Sequence, residues 1–244
     1  MVNEKEMSVE IEWYFEKSAQ KAVKALKGNY FDAEYVPDRR QALTKVLEMI
    51  PAGGTIGCGD SVTLHQIGFI DWLKEQKEHE VFNPFFIKPF DFTDKDSAGY
   101  KTESFRIARK ALTADVFCTG TNAITLDGKI VNIDGHGNRV AAMIFGPGRV
   151  IIVAGFNKIV KDVDEAIKRI HEWTAPINMK RHAYKHNYEF IAKLPCYVTG
   201  RCQNCHSEAK ACCITTIIDG WSPIVKSPIN HPHFIIIVGE SLGI

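Results

Sequence analysis

The sequence predicts an α/β fold in which a mainly parallel sheet has helices on both faces. Two observations support this prediction. Predicted strands and helices alternate along the 244 residues, which is the pattern of a parallel sheet. Residues 150–153 read Val-Ile-Ile-Val, and a strand that is apolar on both sides is typical of a sheet covered by helices on each face. The length fits a single domain over residues 1–244.

Predicted helices start at capping residues and stop at glycine or proline. Ser8 and Asp38 are the caps of the first two helices, and Gly28 and Pro51 end them. We expect residues 1–30 to form a helical arm that packs on a partner subunit, which favours a homodimer. The predicted helices cover residues 8–26, 39–50, 62–78, 96–111, 139–145, 162–173 and 177–192.

The predicted strands are short apolar or β-branched runs. Residues 149–154 form the clearest of them, because glycine and proline at 146–148 separate this run from the preceding helix. Residues 82–92 are aromatic, contain two prolines and are predicted to form an irregular loop or lid. The predicted strands cover residues 31–36, 55–58, 115–119, 129–133, 149–154, 214–218 and 234–238.

Three glycine-rich turns, at residues 57–63, 119–122 and 134–139, lie where predicted strands end. Ligands of open α/β sheets bind outside the carboxyl ends of the strands, where helix N-termini favour an anion. An arginine there offers a fork of donors to a carboxylate or phosphate. The alternative is that the glycines only make tight turns and that the serine only caps a helix. The predicted ligand-binding residues are Gly57, Gly59, Ser61, Thr63, Gly120, Asn122, Asn138, Arg139 and Lys158.

Several classes of site and partner are excluded or disfavoured. Val62 and Val140 stand at the third glycine positions of two G-x-G-x-x-G patterns, so no dinucleotide fingerprint is present. No G-K-[ST] or G-x-S-x-G motif occurs, so no nucleotide cofactor is predicted and a serine hydrolase is disfavoured. The net charge of +1 gives no electrostatic case for nucleic acid or an anionic membrane surface. No apolar run is long enough to span a bilayer.

Asp134 is the predicted acid–base residue if the protein catalyses a reaction. It lies at a strand end between Ile133 and Gly135, on the edge of the sheet where ligands are expected. The alternative interpretation is that this carboxylate only caps a turn. Whether the protein is an enzyme stays open on the sequence alone.

Five of the seven cysteines lie close together, with the spacing C-x5-C-x2-C-x6-C-C. Four thiolates suit zinc or an iron–sulfur cluster, and a C-x2-C step places two sulfurs together. His206 could replace one thiolate, Cys213 is the expected spare, and reduced or redox-active thiols are the alternative. An odd cysteine count without an export signal predicts a reducing, cytoplasmic compartment. The predicted metal ligands are Cys196, Cys202, Cys205 and Cys212.

Several motifs form a specific set. They are Thr-Gly-Thr-Asn-Ala-Ile-Thr at 119–125, the glycine turn within 131–142, residues 154–160, Ala-Pro-Ile-Asn at 175–178 and Val-Gly-Glu-Ser-Leu-Gly at 238–243. From about residue 8 to its end, the chain resembles the lactate-utilization (LUD) domain family, in the branch with a cysteine-bearing C-terminal tail. The resemblance implies a fold like that of ribose-5-phosphate isomerases and CoA-transferases. It also implies a link to bacterial lactate oxidation beside iron–sulfur subunits.

Three functional hypotheses follow. The first is a LUD-type protein that binds a small anionic metabolite in lactate or organic-acid utilization. The second is a sugar-phosphate isomerase or an acyl- or CoA-transferase-like enzyme, which needs an essential carboxylate or lysine such as Asp134 or Lys158. The third is a non-enzymatic accessory subunit that uses the cysteine-rich residues 195–213 for metal or redox contact with a partner redox subunit.

Overall fold

The computed structural model describes residues 6–86, 97–186, 189–207, 210–222 and 233–244. These residues form ten strands, which we number in chain order. They are β1 (Asp32–Val36), β2 (Ile56–Cys58), β3 (Val81–Phe82), β4 (Val116–Gly120), β5 (Ala123–Thr125), β6 (Ile130–Asp134), β7 (Arg149–Gly155), β8 (Ile159–Val160), β9 (Ile214–Ile218) and β10 (His233–Val238).

Ten α-helices lie between these strands within the same described residues. They are α1 (Ser8–Gly28), α2 (Arg39–Glu48), α3 (Val62–Gln66), α4 (Phe69–Glu75), α5 (Ser97–Lys110), α6 (Asn138–Ile144), α7 (Val163–Arg169), α8 (Ala175–His186), α9 (Glu189–Ala192) and α10 (Pro195–Thr199).

The main sheet has six strands in the order β1-β10-β7-β4-β2-β3, and every neighbouring pair is parallel. Strand β7 lies inside this sheet, and its side chains alternate between two cores. Ile151 and Val153 pack on the face covered by α2, α3 and α4. Ile152 and Ala154 pack on the face covered by α1 and α6. The predicted α/β fold, with a mainly parallel sheet and helices on both faces, is therefore confirmed.

A second, four-stranded sheet has the order β8-β5-β6-β9. Its centre is the antiparallel hairpin of β5 and β6, to which β8 adds in parallel and β9 in antiparallel orientation. Gly128 forms the hairpin turn at φ +83°, and a Cβ there would lie 2.6 Å from the backbone of Leu26 in α1. The β5–β6 turn of the second sheet therefore packs directly against α1, which covers the main sheet.

Two predicted helices differ from the structure. Residues 62–78 contain α3 and α4 rather than one helix, because Gly68 adopts φ +83° and breaks the helical path. After α7 the chain continues through a π-helical turn (Ile170–Thr174) directly into α8. Pro176 lacks an N–H, which removes one α-helical hydrogen bond at this point. The predicted helix at 177–192 corresponds to α8 and α9, with residues 187–188 outside the described residues.

Helix α1 is only partly the predicted arm. Ala19, Ala22 and Leu26 are fully buried on the main sheet of their own chain. Trp13 and Tyr14, one to two turns earlier, are exposed. Contact of the N-terminal half with a partner subunit stays a prediction. Most of the predicted lid at 82–92 lies outside the described residues, and no helix within the described ranges is long and apolar enough to cross a bilayer.

Candidate functional site

The carboxyl ends of β2, β4 and β7 meet at one edge of the main sheet, because these neighbouring strands are parallel. Gly120 ends β4, and a Cβ on it would lie 2.8 Å from Oγ of Ser61 in the turn after β2. Ser61 caps α3 by accepting a hydrogen bond from the N–H of Leu64 (3.4 Å). Two of the predicted glycine turns are thus in direct contact.

Lys158 lies at the end of a short 3-10 turn (Phe156–Lys158) directly after β7, and only 4% of it is exposed. Its Nζ donates a hydrogen bond to Oγ1 of Thr63 (2.9 Å), which is itself buried on α3. The backbone of Gly243 covers this pair. Gly243 adopts φ +74°, and a Cβ at this position would clash with both side chains.

Arg139, at the start of α6, reaches back over the second sheet. Its Nη1 donates to Oδ1 of Asn132 (2.5 Å), and its Nη2 donates to Oδ1 of Asn122 (3.4 Å). Asn132 is fully buried, and the same Oδ1 accepts hydrogen bonds from the N–H of Asn122 and the hydroxyl of Thr121. Within the part of the chain that the structure describes, its Nδ2 has no hydrogen-bond partner. A buried donor at this point therefore lacks an acceptor.

Arg169, the last residue of α7, joins these turns. It donates to the main-chain oxygens of Asn122 (3.0 Å) and Asn157 (3.2 Å), and to Oγ1 of Thr174 (2.9 Å). Asn157 precedes Lys158 in the chain. Hydrogen bonds and one peptide link thus connect Arg139, Asn122, Arg169, Asn157 and Lys158, and we call Arg139, Arg169 and Lys158 the cation cradle.

The cation cradle carries more positive than negative charge. Asp134 contacts Nε of Arg139 (3.5 Å), and in the described residues neither Lys158 nor Arg169 has an Asp or Glu side chain within ion-pair distance. Burial, and then the charges of Arg169 and Arg139, lower the pKa of Lys158 to about 7. Burial also lowers the pKa of Arg169. These groups repel one another, and an anion placed between them would relieve that repulsion.

Asp134 has local partners. Its Oδ1 accepts from the N–H of Gly135 (2.8 Å), and its Oδ2 accepts from the N–H of Val140 (3.4 Å). Its main-chain oxygen accepts from the N–H of Cys213 (3.0 Å). These contacts hold the turn and orient Arg139, and an acid–base role of Asp134 stays a prediction.

A second charged group ties α8 to the turn after β2. Asp60 accepts hydrogen bonds from Nη2 of Arg181 (2.6 Å) and Nζ of Lys185 (3.0 Å), both on α8. Burial acts to raise the pKa of Asp60, but the bonds and charges of these two cations outweigh it and hold the pKa well below its usual range. Asp60 is therefore ionised at neutral pH and paired with Arg181 and Lys185, not with the cation cradle.

The four predicted metal-ligating cysteines line one pocket, which we call the thiol pocket. His171 from the π-helical turn lines it too, with Nδ1 3.1 Å from Sγ of Cys202. Burial and the neighbouring thiols raise the pKa of Cys212 to about 11. Across the described ranges, no three His, Cys, Asp or Glu side chains are placed to hold a metal ion. The four cysteines are Cys196, Cys202, Cys205 and Cys212.

Comparison with known proteins identifies the family of this chain. The model of the LUD domain matches residues 19–223, which is most of the chain. The chain belongs to the LUD domain family. No curated protein matches the sequence. Membership supports a role related to lactate utilization in general.

Solved structures similar to this LUD domain have low sequence identity. A DUF162 family protein from Deinococcus radiodurans is 11% identical over 93% of this chain and 97% of its own, with a TM-score of 0.45. The eIF2B delta protein from Chaetomium thermophilum is 15% identical over 53% of this chain and 50% of its own, with a TM-score of 0.34. Ribose 5-phosphate isomerase A from Neisseria gonorrhoeae is 16% identical over 58% and 65%, with a TM-score of 0.31.

The LUD domain brings together four of the predicted ligand-binding residues: Thr63, Asn122, Arg139 and Lys158. The predicted Gly57 lies inside β2, where a Cβ would be 2.9 Å from Ala111 and Phe117, so its packing requires glycine. Gly59 lies in the open turn that follows, and Asn138 is the first residue of α6.

Sequence reasoning missed Arg169, Asn132 and Gly243. Arg169 lies within a predicted helix, where an arginine is usually on the solvated face. Its partners Asn122 and Thr174 lie on other elements, so no local spacing marks the arginine as part of a site. Asn132 and Gly243 stand within the motifs that carry the family resemblance, which was the signal available for them.

Proposed function

We propose that this LUD domain binds a small anionic metabolite on the cation cradle, as part of lactate or related organic-acid utilization. One observation carries the proposal: Lys158 is buried without an acidic partner among the described residues, and two further cations lie near it. A buried charge normally needs a partner, because transfer from water is costly. A bound carboxylate or phosphate would supply that partner.

The donor set favours a carboxylate. Guanidinium N–H donors suit the two oxygens of a carboxylate, and a bound carboxylate would replace some of the protein acceptors that Arg139 and Arg169 now contact. The unpaired Nδ2 of Asn132 adds a neutral donor beside Arg139. The hydroxyl of Thr63 and the ammonium of Lys158 form the other side of the site. The family's general link to lactate utilization agrees with a small organic acid as the ligand.

The test is thermal unfolding with millimolar lactate, other organic acids and sugar phosphates. A ligand that binds only the folded state raises the melting temperature. We expect organic acids to raise it for the native protein and to have little effect on an Arg169→Gln variant. A Lys74→Met variant is the control, because it removes an exposed surface lysine far from the cradle in sequence. If none of these anions shifts the melting temperature, the proposal is wrong.

A second candidate function is that of a metal- or redox-dependent accessory subunit. The observation in its favour is that the four predicted cysteines and His171 line a single pocket. These donor types suit zinc or an iron–sulfur cluster. Among the described residues these side chains are not placed to hold an ion, so binding would require the thiols to move closer together, as in metal binding that is coupled to folding.

Elemental analysis of anaerobically purified protein tests this second function. We expect a Cys202→Ala variant to lose bound zinc or iron. Cys213→Ala is the matched control, because Cys213 is exposed and does not line the thiol pocket. Native protein free of zinc and iron, or a Cys202→Ala variant with full metal content, would contradict the proposal.

A further inference from the structure

We propose that Lys158 forms a Schiff base with the carbonyl group of an oxo acid whose carboxylate is held by Arg139 and Arg169. This inference rests on the proposed anion-binding function and names its ligand class. It also assigns a covalent role to the lysine. The same cradle would bind a 2-hydroxy acid without this chemistry, so the two proposals can be tested separately.

The surroundings of Lys158 suit a nucleophilic amine. Within the described residues its Nζ contacts one hydroxyl, that of Thr63, and no carboxylate that would hold it protonated. The groups that act on its charge are Arg169 and Arg139, and both disfavour the ammonium form. Because burial and these charges lower the pKa of Lys158 to about 7, a large fraction of the amine is neutral at neutral pH. Schiff-base lysines depend on this kind of environment.

The positions of the arginines specify an acid rather than a simple ketone. Arg169 contacts the main-chain oxygen of Asn157, the residue before Lys158, and it also contacts Asn122, which Arg139 contacts from the other side. A small molecule on Lys158 would therefore lie near Asn157, whose main-chain oxygen accepts from Arg169, and within the field of both guanidinium groups that acts on Lys158. A carboxylate next to that carbonyl would add negative charge to three cations that have only Asp134 as an acidic partner among the described residues, and an uncharged ketone would add none.

The covalent step needs no co-reactant. The lone pair of Nζ attacks the carbonyl carbon, the C–N bond forms, and the carbonyl π electrons move to oxygen. One amine proton passes to that oxygen through the Thr63 hydroxyl, giving a carbinolamine. The second amine proton leaves with the oxygen as water, and the C=N bond forms. Thr63 is thus a proton relay, because it is the hydroxyl in contact with Nζ.

The C-terminal segment controls access to Nζ. Gly243 lies against Lys158 and Thr63, and its N–H donates to Oε1 of Gln66 (2.5 Å). The N–H of Leu242 donates to Oδ1 of Asn157 (3.0 Å). We expect the oxo acid to enter when this segment separates from α3. Its return would shield the imine from water, which protects a Schiff base against hydrolysis.

Reductive trapping tests the inference. The full-length protein is incubated with pyruvate as the probe and reduced with borohydride, and the adduct is located by peptide mass mapping. We expect one adduct, on Lys158. Lactate should compete with trapping but form no adduct.

An Arg169→Gln variant should need about tenfold more pyruvate for half-maximal trapping, which matches the loss of one charge-assisted hydrogen bond. Thr63→Val should slow trapping, because it removes the hydroxyl that contacts Nζ.

The outcomes separate the two proposals. If lactate and pyruvate stabilise the protein but no adduct forms on Lys158, the Schiff base is wrong and anion binding stands. Adducts spread over exposed lysines would also overturn the inference. If neither acid stabilises the protein nor forms an adduct, both proposals fail. Because native protein is trapped and mapped directly, the result does not depend on whether a Lys158 variant folds.

Discussion

Lys158 carries a charge that is costly to bury in this fold. Its pKa is lowered to about 7 in the folded protein, whereas an unfolded lysine has a pKa near 10.4. Between these values the unfolded chain holds a proton that the folded chain has released. The free energy of unfolding should therefore rise with pH from about 7 to about 10, and by at most about 5 kcal/mol from this residue.

Denaturant unfolding across that pH range measures the effect. Below pH 7 both states are protonated, so the contribution of Lys158 to the slope disappears there. A Lys158→Met variant should have a flatter profile between pH 7 and 10, and Lys74→Met should keep the native slope because Lys74 is exposed. Equal slopes for the native protein and Lys158→Met would contradict the burial argument.

Individual residues also show which parts of the candidate site can be predicted from the sequence. Thr63, Asn122, Arg139 and Lys158 were predicted because each follows a strand that ends at the ligand-binding edge. Arg169 was not, since its contacts depend on how α7 docks beside β5 and β7, and that is a property of tertiary packing. Residue type and local spacing therefore identify the strand-end residues of the candidate site and miss the arginine that α7 adds to it.

At the scale of elements, one buried carboxylate, Asp60, ties α8 to the turn after β2. Asp60→Asn would break the ion pairs to Arg181 and Lys185 and leave two cations beside a neutral amide. We expect a loss of about 2 kcal/mol and faster proteolysis of α8. Because the pKa of Asp60 is held well below its usual range, this stabilisation is complete above about pH 4 and is lost as the pH falls further.

A surface pair on α4 provides the matched control. Asp71 pairs with Lys74 in a solvent-exposed position, and such pairs contribute less than about 1 kcal/mol. Asp71→Asn should therefore leave both the unfolding free energy and the proteolysis of α8 near their native values. Similar losses in the two variants would show that Asp60 does not anchor the helix.

Element prediction succeeded where a segment is long or its ends are marked. The Val-Ile-Ile-Val run is apolar on both faces, and the structure buries it as β7. Strands β5 and β8 have three and two residues, which is too short for any periodicity, and both were missed. The break at Gly68 was also missed, because an isolated glycine inside a helical pattern is tolerated and does not by itself mark an end.

At the scale of the whole molecule, the second sheet contacts the main-sheet side of the fold where Gly128 packs against Leu26 of α1. Gly128→Ala would meet an unfavourable φ of +83° and a backbone clash with Leu26. We expect a loss of more than about 2 kcal/mol in unfolding free energy. Gly200→Ala is the control, because Gly200 has φ +71° and open space around it, so it isolates the conformational cost of about 1 kcal/mol. Equal losses of unfolding free energy in the two variants would mean that the hairpin shifts to avoid the clash with α1 at little cost.

The π-helical turn between α7 and α8 belongs to both candidate sites. Arg169 precedes it and reaches the cation cradle, Thr174 within it holds Arg169, and His171 within it contacts Cys202. Any factor by which a metal in the thiol pocket changes the affinity for an anion must equal the factor by which that anion changes the affinity for the metal. One titration, made with and without the second ligand, therefore measures communication in both directions.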